Sequence, residues 1–265
     1  MEKFKWITTS SWIDETINFF NNTKETDSIV KIKENLKNGI YFEGKKNSSC
    51  ERIFSEINQK YIKDTEIFKA LHLIINSEIE KTIKKQYLLF SFYKDENLRS
   101  YFISDYIYPN YIKKQKTYTQ RDLDIFFEEL MFNKKNRLPP KFVSDGISDA
   151  SMKKARNQLF KFLEDFGWAE KNEEKIILKK PTLSPEWFVF GLYFYYKEKI
   201  ISIEDVIKDG YFKKFLMDEY DIDYMLNQAN QNKLIEVYKM GEIRNITKIK
   251  GDTIYEYAGY IIGNS

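Results

Sequence analysis

Apolar residues recur at three- and four-residue spacing along most of this chain, the pattern that lines one face of a helix. Residues 11–20, 26–38 and 49–61 open it as helical stretches, with Asn21-Asn22 and residues 39–47 as breaks. They are compatible with a trihelical unit, although the second connector is long for a helix-turn-helix. The third stretch buries Ile53, Phe54, Ile57 and Tyr61, and Ser48 or Ser49 would cap it. Residues 65–77, 78–93 and 96–106 then form an almost unbroken helical block before Pro109. Its Ile79, Ile83, Tyr87 and Leu88 are too apolar to leave in water, so the block reads as scaffold.

A different pattern follows. After a basic link at 113–116, a helix runs from Thr119 or Gln120 to Phe132, and a turn around 142–146 leads to a second helix. There Met152, Ala155, Leu159, Phe162, Leu163 and Phe166 form the apolar stripe, while Lys153, Lys154, Arg156, Asn157 and Lys161 fall mostly off it. Asp149 or Ser151 would cap its start, and Gly167 ends it. Trp168 and Ala169 enter a hairpin with a polar tip at 170–175, an apolar run Ile176 to Leu178, and a stop at Lys179-Lys180-Pro181. Helix, turn, basic helix and hairpin in this order outline a winged helix-turn-helix, whose exposed helix face enters the major groove. The candidate nucleic-acid-binding residues are therefore Ser151, Lys153, Lys154, Arg156, Asn157 and Lys161, joined by Lys134, Lys135 and Arg137 of the preceding loop as phosphate contacts. The competing account is a solvated surface helix resting on a hairpin.

Beyond Pro181, the Ser184-Pro185-Glu186 start introduces a helix over 187–199, then short helices at 203–208 and 212–217 and a longer one at 221–232. Strands at 234–240 and 243–249 flank Gly241-Glu242, with 253–262 as a third strand, so this part has the order of a second wing-bearing module. The fold expected is mainly α, a multi-helical array with winged helix-turn-helix modules and small β-hairpins, α+β at its C-terminus. Its parts are an N-terminal helical domain at 1–112, a winged-helix module at 113–181 and a C-terminal helical unit with a small sheet at 182–265.

Composition narrows the chemistry. Aromatic residues make up 17% of the 265, enough to fill a large core, and net charge is only +3. A nucleic-acid surface must therefore come from clustering, and residues 113–161 hold twelve basic side chains against six acidic ones. Abundant Lys, Ile, Asn, Tyr and Phe together suggest an AT-rich coding genome, which raises lysine everywhere, so the count alone proves little. Cys50 is the only cysteine and His72 the only histidine, which excludes an intrachain disulfide and zinc sites built from those residues; His72 sits among apolar positions as a structural histidine. The N-terminus lacks a signal-peptide core, and the longest apolar run, 187–196, is about half a membrane span, so a cytoplasmic protein is expected.

Enzymatic signatures are missing. No phosphate-cradling loop or dinucleotide fingerprint occurs. Asp165-Phe166-Gly167 spells a kinase tripeptide but closes a helix without its companion motifs. Asp165 with Glu173 and Lys175 has the look of a metal-dependent nuclease element, yet the last two fall on a hairpin turn, where a rigid first shell is absent. The reading is of a non-enzymatic protein without metal or cofactor.

Several stretches resemble the BrxA family of BREX phage-defence systems: the start around 12–20, NSSCERIFSEINQKY at 47–61, KKQYLLFSFYKDENLRSYFISDYI at 84–107 and SMKKARNQLFKFLEDFGWAEK at 151–171. The resemblance spans roughly residues 4–185. It implies a mostly helical, non-enzymatic protein of winged-helix character that binds DNA beside a methyltransferase, a phosphatase-like protein and ATPases in phage exclusion. It transfers no catalytic residues. Duplex DNA and other BREX proteins are thus the expected partners; an interaction scaffold for those proteins, or an RNA-binding protein, are the alternatives.

Overall fold

Side-chain oxygens start many of the helices in the computed structural model, which describes residues 10–38, 40–42, 44–94, 97–133, 138, 146–241 and 243–263. In chain order, the first half contains α1 Ile13–Asn21, α2 Ile29–Lys37, α3 Asn47–Ile57, α4 Thr65–Asn76 and α5 Lys81–Tyr93. Then come α6 Leu98–Tyr101, α7 Tyr108–Ile112, β1 Thr117–Thr119 and α8 Gln120–Asn133. The second half has α9 Asp149–Asp165, β2 Ala169–Asn172, β3 Lys175–Leu178, α10 Pro185–Tyr195 and β4 Ile200–Ser202. It closes with α11 Ile203–Asp209, α12 Glu219–Gln231, β5 Ile235–Met240, β6 Ile243–Lys248 and α13 Ile254–Gly263. Wide π-helical turns at Asn58–Ile62 and Phe102–Ile107 continue α3 and α6. Ser28, Asp64, Asn97 and Ser184 each accept a first-turn amide, and Asn97 with Ser100 forms a reciprocal capping box.

The chain divides into two compact units. One comprises residues 1–11, 92–182 and 207–222, the other 12–91, 183–206 and 223–265. In the first, β1, β3 and β2 form an antiparallel sheet in that order, with Tyr118 opposite Ile176 and Ala169 opposite Leu178. Its core gathers Phe92, Phe102, Phe126, Phe162, Phe166, Trp168 and Phe215. In the second, β4, β6 and β5 form the other antiparallel sheet, and α4 packs on α13. Trp187 stacks on Phe90 at 4.6 Å and donates its indole N–H to the Gln86 carbonyl at 3.1 Å, so its one polar atom is satisfied in the core. His72 sets Nε2 2.7 Å from the Thr23 carbonyl oxygen, beside Phe20 and Phe68, the structural role expected of it.

Several expectations need correction. Residues 253–262 are not a third strand but the helix α13. Ile254, Tyr257, Ala258 and Ile261 bury at helical spacing, and Thr253 and Glu256 exchange backbone-to-side-chain bonds as a capping box. The third strand is instead β4, paired with β6 through Ile201 and Ile246. The cap of α9 is Ser148, one residue before Asp149, and α3 starts at Asn47 after Lys46 with no side-chain cap. The helix expected to reach residue 199 ends at Tyr195.

Lys248 on β6 is a buried cation of the second unit. Its Nζ donates to the Tyr196 carbonyl and lies 4.8 Å from the centre of the Tyr193 ring, which stacks on Tyr257 at 4.7 Å. Burial pulls its pKa down from 10.5 to about 8. Between those values the unfolded chain holds a proton that the folded one has released, so stability rises with pH. The rise ends as buried tyrosines take over: Tyr193 is pushed up to about 12, so above its ordinary value of 10.0 the unfolded state ionises first. Denaturant midpoints followed from pH about 8 to 10 should climb for the unmodified chain and stay level for Lys248→Met. A climb of equal size in both would remove Lys248 as its source.

Candidate nucleic-acid interface

Helix α9 is held along one face and bare along the other. Ala155, Leu159, Phe162 and Leu163 are buried, and the Phe162 ring lies 5.3 Å from Phe92 and 5.9 Å from Tyr93. The buried Arg99 guanidinium sits 5.0 Å from both the Phe92 and Phe162 rings. At the C-terminal end, Gly167 adopts φ +74, its N–H bonding to the Glu164 carbonyl at 2.9 Å while that of Trp168 bonds to Leu163 at 2.8 Å. This double closure is a Schellman motif, and the left-handed residue in it is why glycine ends the helix. The turn sends the chain into the hairpin, where Ile176 and Leu178 point inward and Glu173-Glu174 make the two-residue tip.

The predicted residues divide into distinct environments. Lys153, Lys154 and Asn157 are exposed, and their side chains make no hydrogen bond or ion pair with any described residue. Lys161 is exposed as well but reaches Asp165 at 3.0 Å, and Asp165 also accepts from the Ser11 hydroxyl. Ser151 belongs to the cap: its N–H reaches Ser148 Oγ at 3.3 Å and the two hydroxyls are 3.0 Å apart. Arg156 is engaged by neighbouring side chains. Its guanidinium pairs with Asp124 of α8 and donates to Met152 Sδ at 2.9 Å, with only 19% of the side chain exposed. It ties α9 to α8. Lys134, Lys135 and Arg137 lie outside the described residues.

Between α9 and the hairpin runs a groove of about 620 Å³. Lys153, Arg156, Asn157, Phe160, Lys161 and Glu164 line it from the helix, and Lys171, Glu173, Glu174, Lys175 and Ile176 from the hairpin. Gln120 at the start of α8 also reaches it. Phe160 and Gln120 are absent from the expected set. The signal for Phe160 was its place next to the buried stripe, an aromatic ring on the polar side of a helix. Of the residues weighed as a nuclease element, Asp165 is engaged by Lys161 and Ser11, and Glu173 and Lys175 stand exposed around the turn. Among the described residues, no group of three or more His, Cys, Asp or Glu side chains is arranged to hold a metal ion. Nor is any described helix long and apolar enough to cross a membrane.

These features define a mainly helical protein with two small antiparallel sheets and a helix whose cations face solvent beside one of them. The chain matches the BrxA family model over residues 3–190, and it belongs to the BrxA family. With that it is a component of BREX phage defence, alongside the other BREX proteins. The match covers α9 and its hairpin and ends within α10. No curated protein and no solved structure matches the chain.

Proposed function

We propose that this BrxA-family protein is a non-enzymatic, cytoplasmic DNA-binding component of BREX, holding duplex DNA through a winged-helix module at residues 113–181. One observation carries the reading: Lys153, Lys154 and Asn157 stand together on the outer face of α9 with no partner among the described residues. Cations left unpaired beside an otherwise well-satisfied helix suit a polyanion, and an exposed amide between them suits a base edge. The order of elements supports it. A helix, β1, α8, α9 and the β2–β3 hairpin, with β3 central in the sheet, is the connectivity of a winged helix. The same order recurs in α10, β4, α11, α12 and the β5–β6 hairpin, again with the last strand central, so residues 182–265 are read as a second module of this kind.

Within the first module, Lys153, Lys154 and Lys161 would neutralise phosphates, with Ser151 at the helix start beside them. Lys134, Lys135 and Arg137 of the α8–α9 connection would add to them. Arg156 acts as a positioning residue that sets the angle of α9 through Asp124. Titration of random-sequence duplex into the full chain over a salt series tests the function. Log affinity should fall linearly with log salt at about 0.9 per phosphate contacted, a slope of roughly three for the three helix lysines alone. No retention of duplex at the lowest salt would sink the reading, and tighter retention of structured RNA at equal salt would redirect it to RNA.

A further inference from the structure

The hairpin tip conflicts with a simple phosphate-gripping wing. Two glutamates, Glu173 and Glu174, occupy its turn, and Glu164 faces them across the groove from α9. Lys153, Arg156, Lys161, Lys171 and Lys175 line the same groove and outnumber these carboxylates, so a bound backbone is drawn along its rim by the cations and held off only at the glutamate tip. The interior of the groove offers something else. Phe160 supplies an aromatic ring, Asn157 and Gln120 supply amides that both donate and accept, and the carboxylates accept only. At about 620 Å³ the groove has the dimensions of a small-ligand site. A ring for stacking, amides for a base edge and acceptors for an amino group are the groups that hold one unpaired base.

We infer that the groove between α9 and the β2–β3 hairpin receives an unstacked base from a single-stranded segment, while the exposed lysines of α9 hold the adjoining backbone. Cytosine, adenine and guanine carry an exocyclic amine that can donate to the carboxylate acceptors; thymine offers only its ring N3–H. The inference rests on the nucleic-acid reading above and narrows it, from duplex alone to duplex continuing into a single strand. Lysine on the helix then supplies affinity, and the groove supplies selectivity for the junction.

Fluorescence anisotropy at one fixed salt concentration tests it, using a blunt duplex, the same duplex with a dC overhang and the same duplex with a dT overhang. The full chain should bind the dC-overhang duplex about tenfold more tightly than the blunt one, the effect of one stacked base, and more tightly than the dT-overhang duplex. Phe160→Ala should erase that preference and leave blunt-duplex binding unchanged. Phe160→Leu keeps an apolar side chain without the flat ring and should erase it too, which separates stacking from any loss of packing. Equal binding of blunt and overhang duplexes by the unmodified chain, or a preference that survives both variants, overturns the groove assignment and leaves the duplex reading intact. Equal affinity for dC and dT overhangs overturns the amine selectivity. Failure to bind any of the three DNAs overturns the functional reading, and this inference with it.

Discussion

Lys153→Glu/Lys154→Glu should abolish retention of duplex DNA under salt conditions where the unmodified chain still binds, and it should do so without lowering the melting temperature. The two halves of that result have separate causes. Both lysines are exposed and unpartnered among the described residues, so folding loses no contact, and surface changes of this kind stay within about 0.5 kcal/mol. Each exchange replaces a cation by an anion, a change of two charges per site. The bound polyanion therefore loses two ion contacts and meets two like charges where it had attraction. The salt slope should shrink by about two as the contacts vanish. Anisotropy over a salt series, with thermal denaturation on the same samples, reads both effects; an unchanged slope would exclude these lysines from the contact. Arg156→Glu is a poorer probe, because it sets a carboxylate against Asp124 and disturbs the α8–α9 contact whether or not DNA is bound.

What could be read from the residues followed from how local each cause is. The stripe of α9, its glycine stop and the hairpin after it depend on neighbours a few positions apart, and all are present. The core histidine and the Ser184-Pro185 helix start were legible for the same reason. Residues 253–262 read as a strand because Tyr255, Tyr257 and Tyr260 favour strands by composition. The Thr253–Glu256 capping box was the local signal that should have overridden it. The third strand, β4, is only three residues long and exists through its pairing with β6 more than forty positions later, which no local pattern announces. The same limit hid the pairing of Arg156. Its position on a basic helix face placed it with Lys153 and Lys154, whereas its partner Asp124 comes from a separate helix, 32 residues back. The groove is likewise a product of folding, since it needs α8, α9 and the hairpin together.

Phe162→Ala should be the most destabilising single change on the site helix, by about 3–5 kcal/mol, a large part of the about 5–15 kcal/mol that holds an ordinary domain together. Phe162 is 2% exposed, and its ring meets Phe92, Tyr93 and Phe166 at 5.0 to 5.9 Å. Its removal leaves a cavity where α9 is anchored and strips one of the two rings from the Arg99 guanidinium, which is buried and 5.0 Å from each. Loss of a cation–π contact in a desolvated place adds to the cavity cost. Denaturant unfolding should show the drop, and Phe162→Leu, which refills most of the volume, should recover much of it. DNA retention separates this variant from the lysine pair. Phe162→Ala should bind weakly only to the extent that it is unfolded, regaining affinity on cooling or with Phe162→Leu, whereas Lys153→Glu/Lys154→Glu stays folded and unable to bind. If Phe162→Ala melts as the unmodified chain does, the anchoring given to this ring is wrong, and the orientation of the basic face must come from the Arg156–Asp124 pair and the helix ends instead.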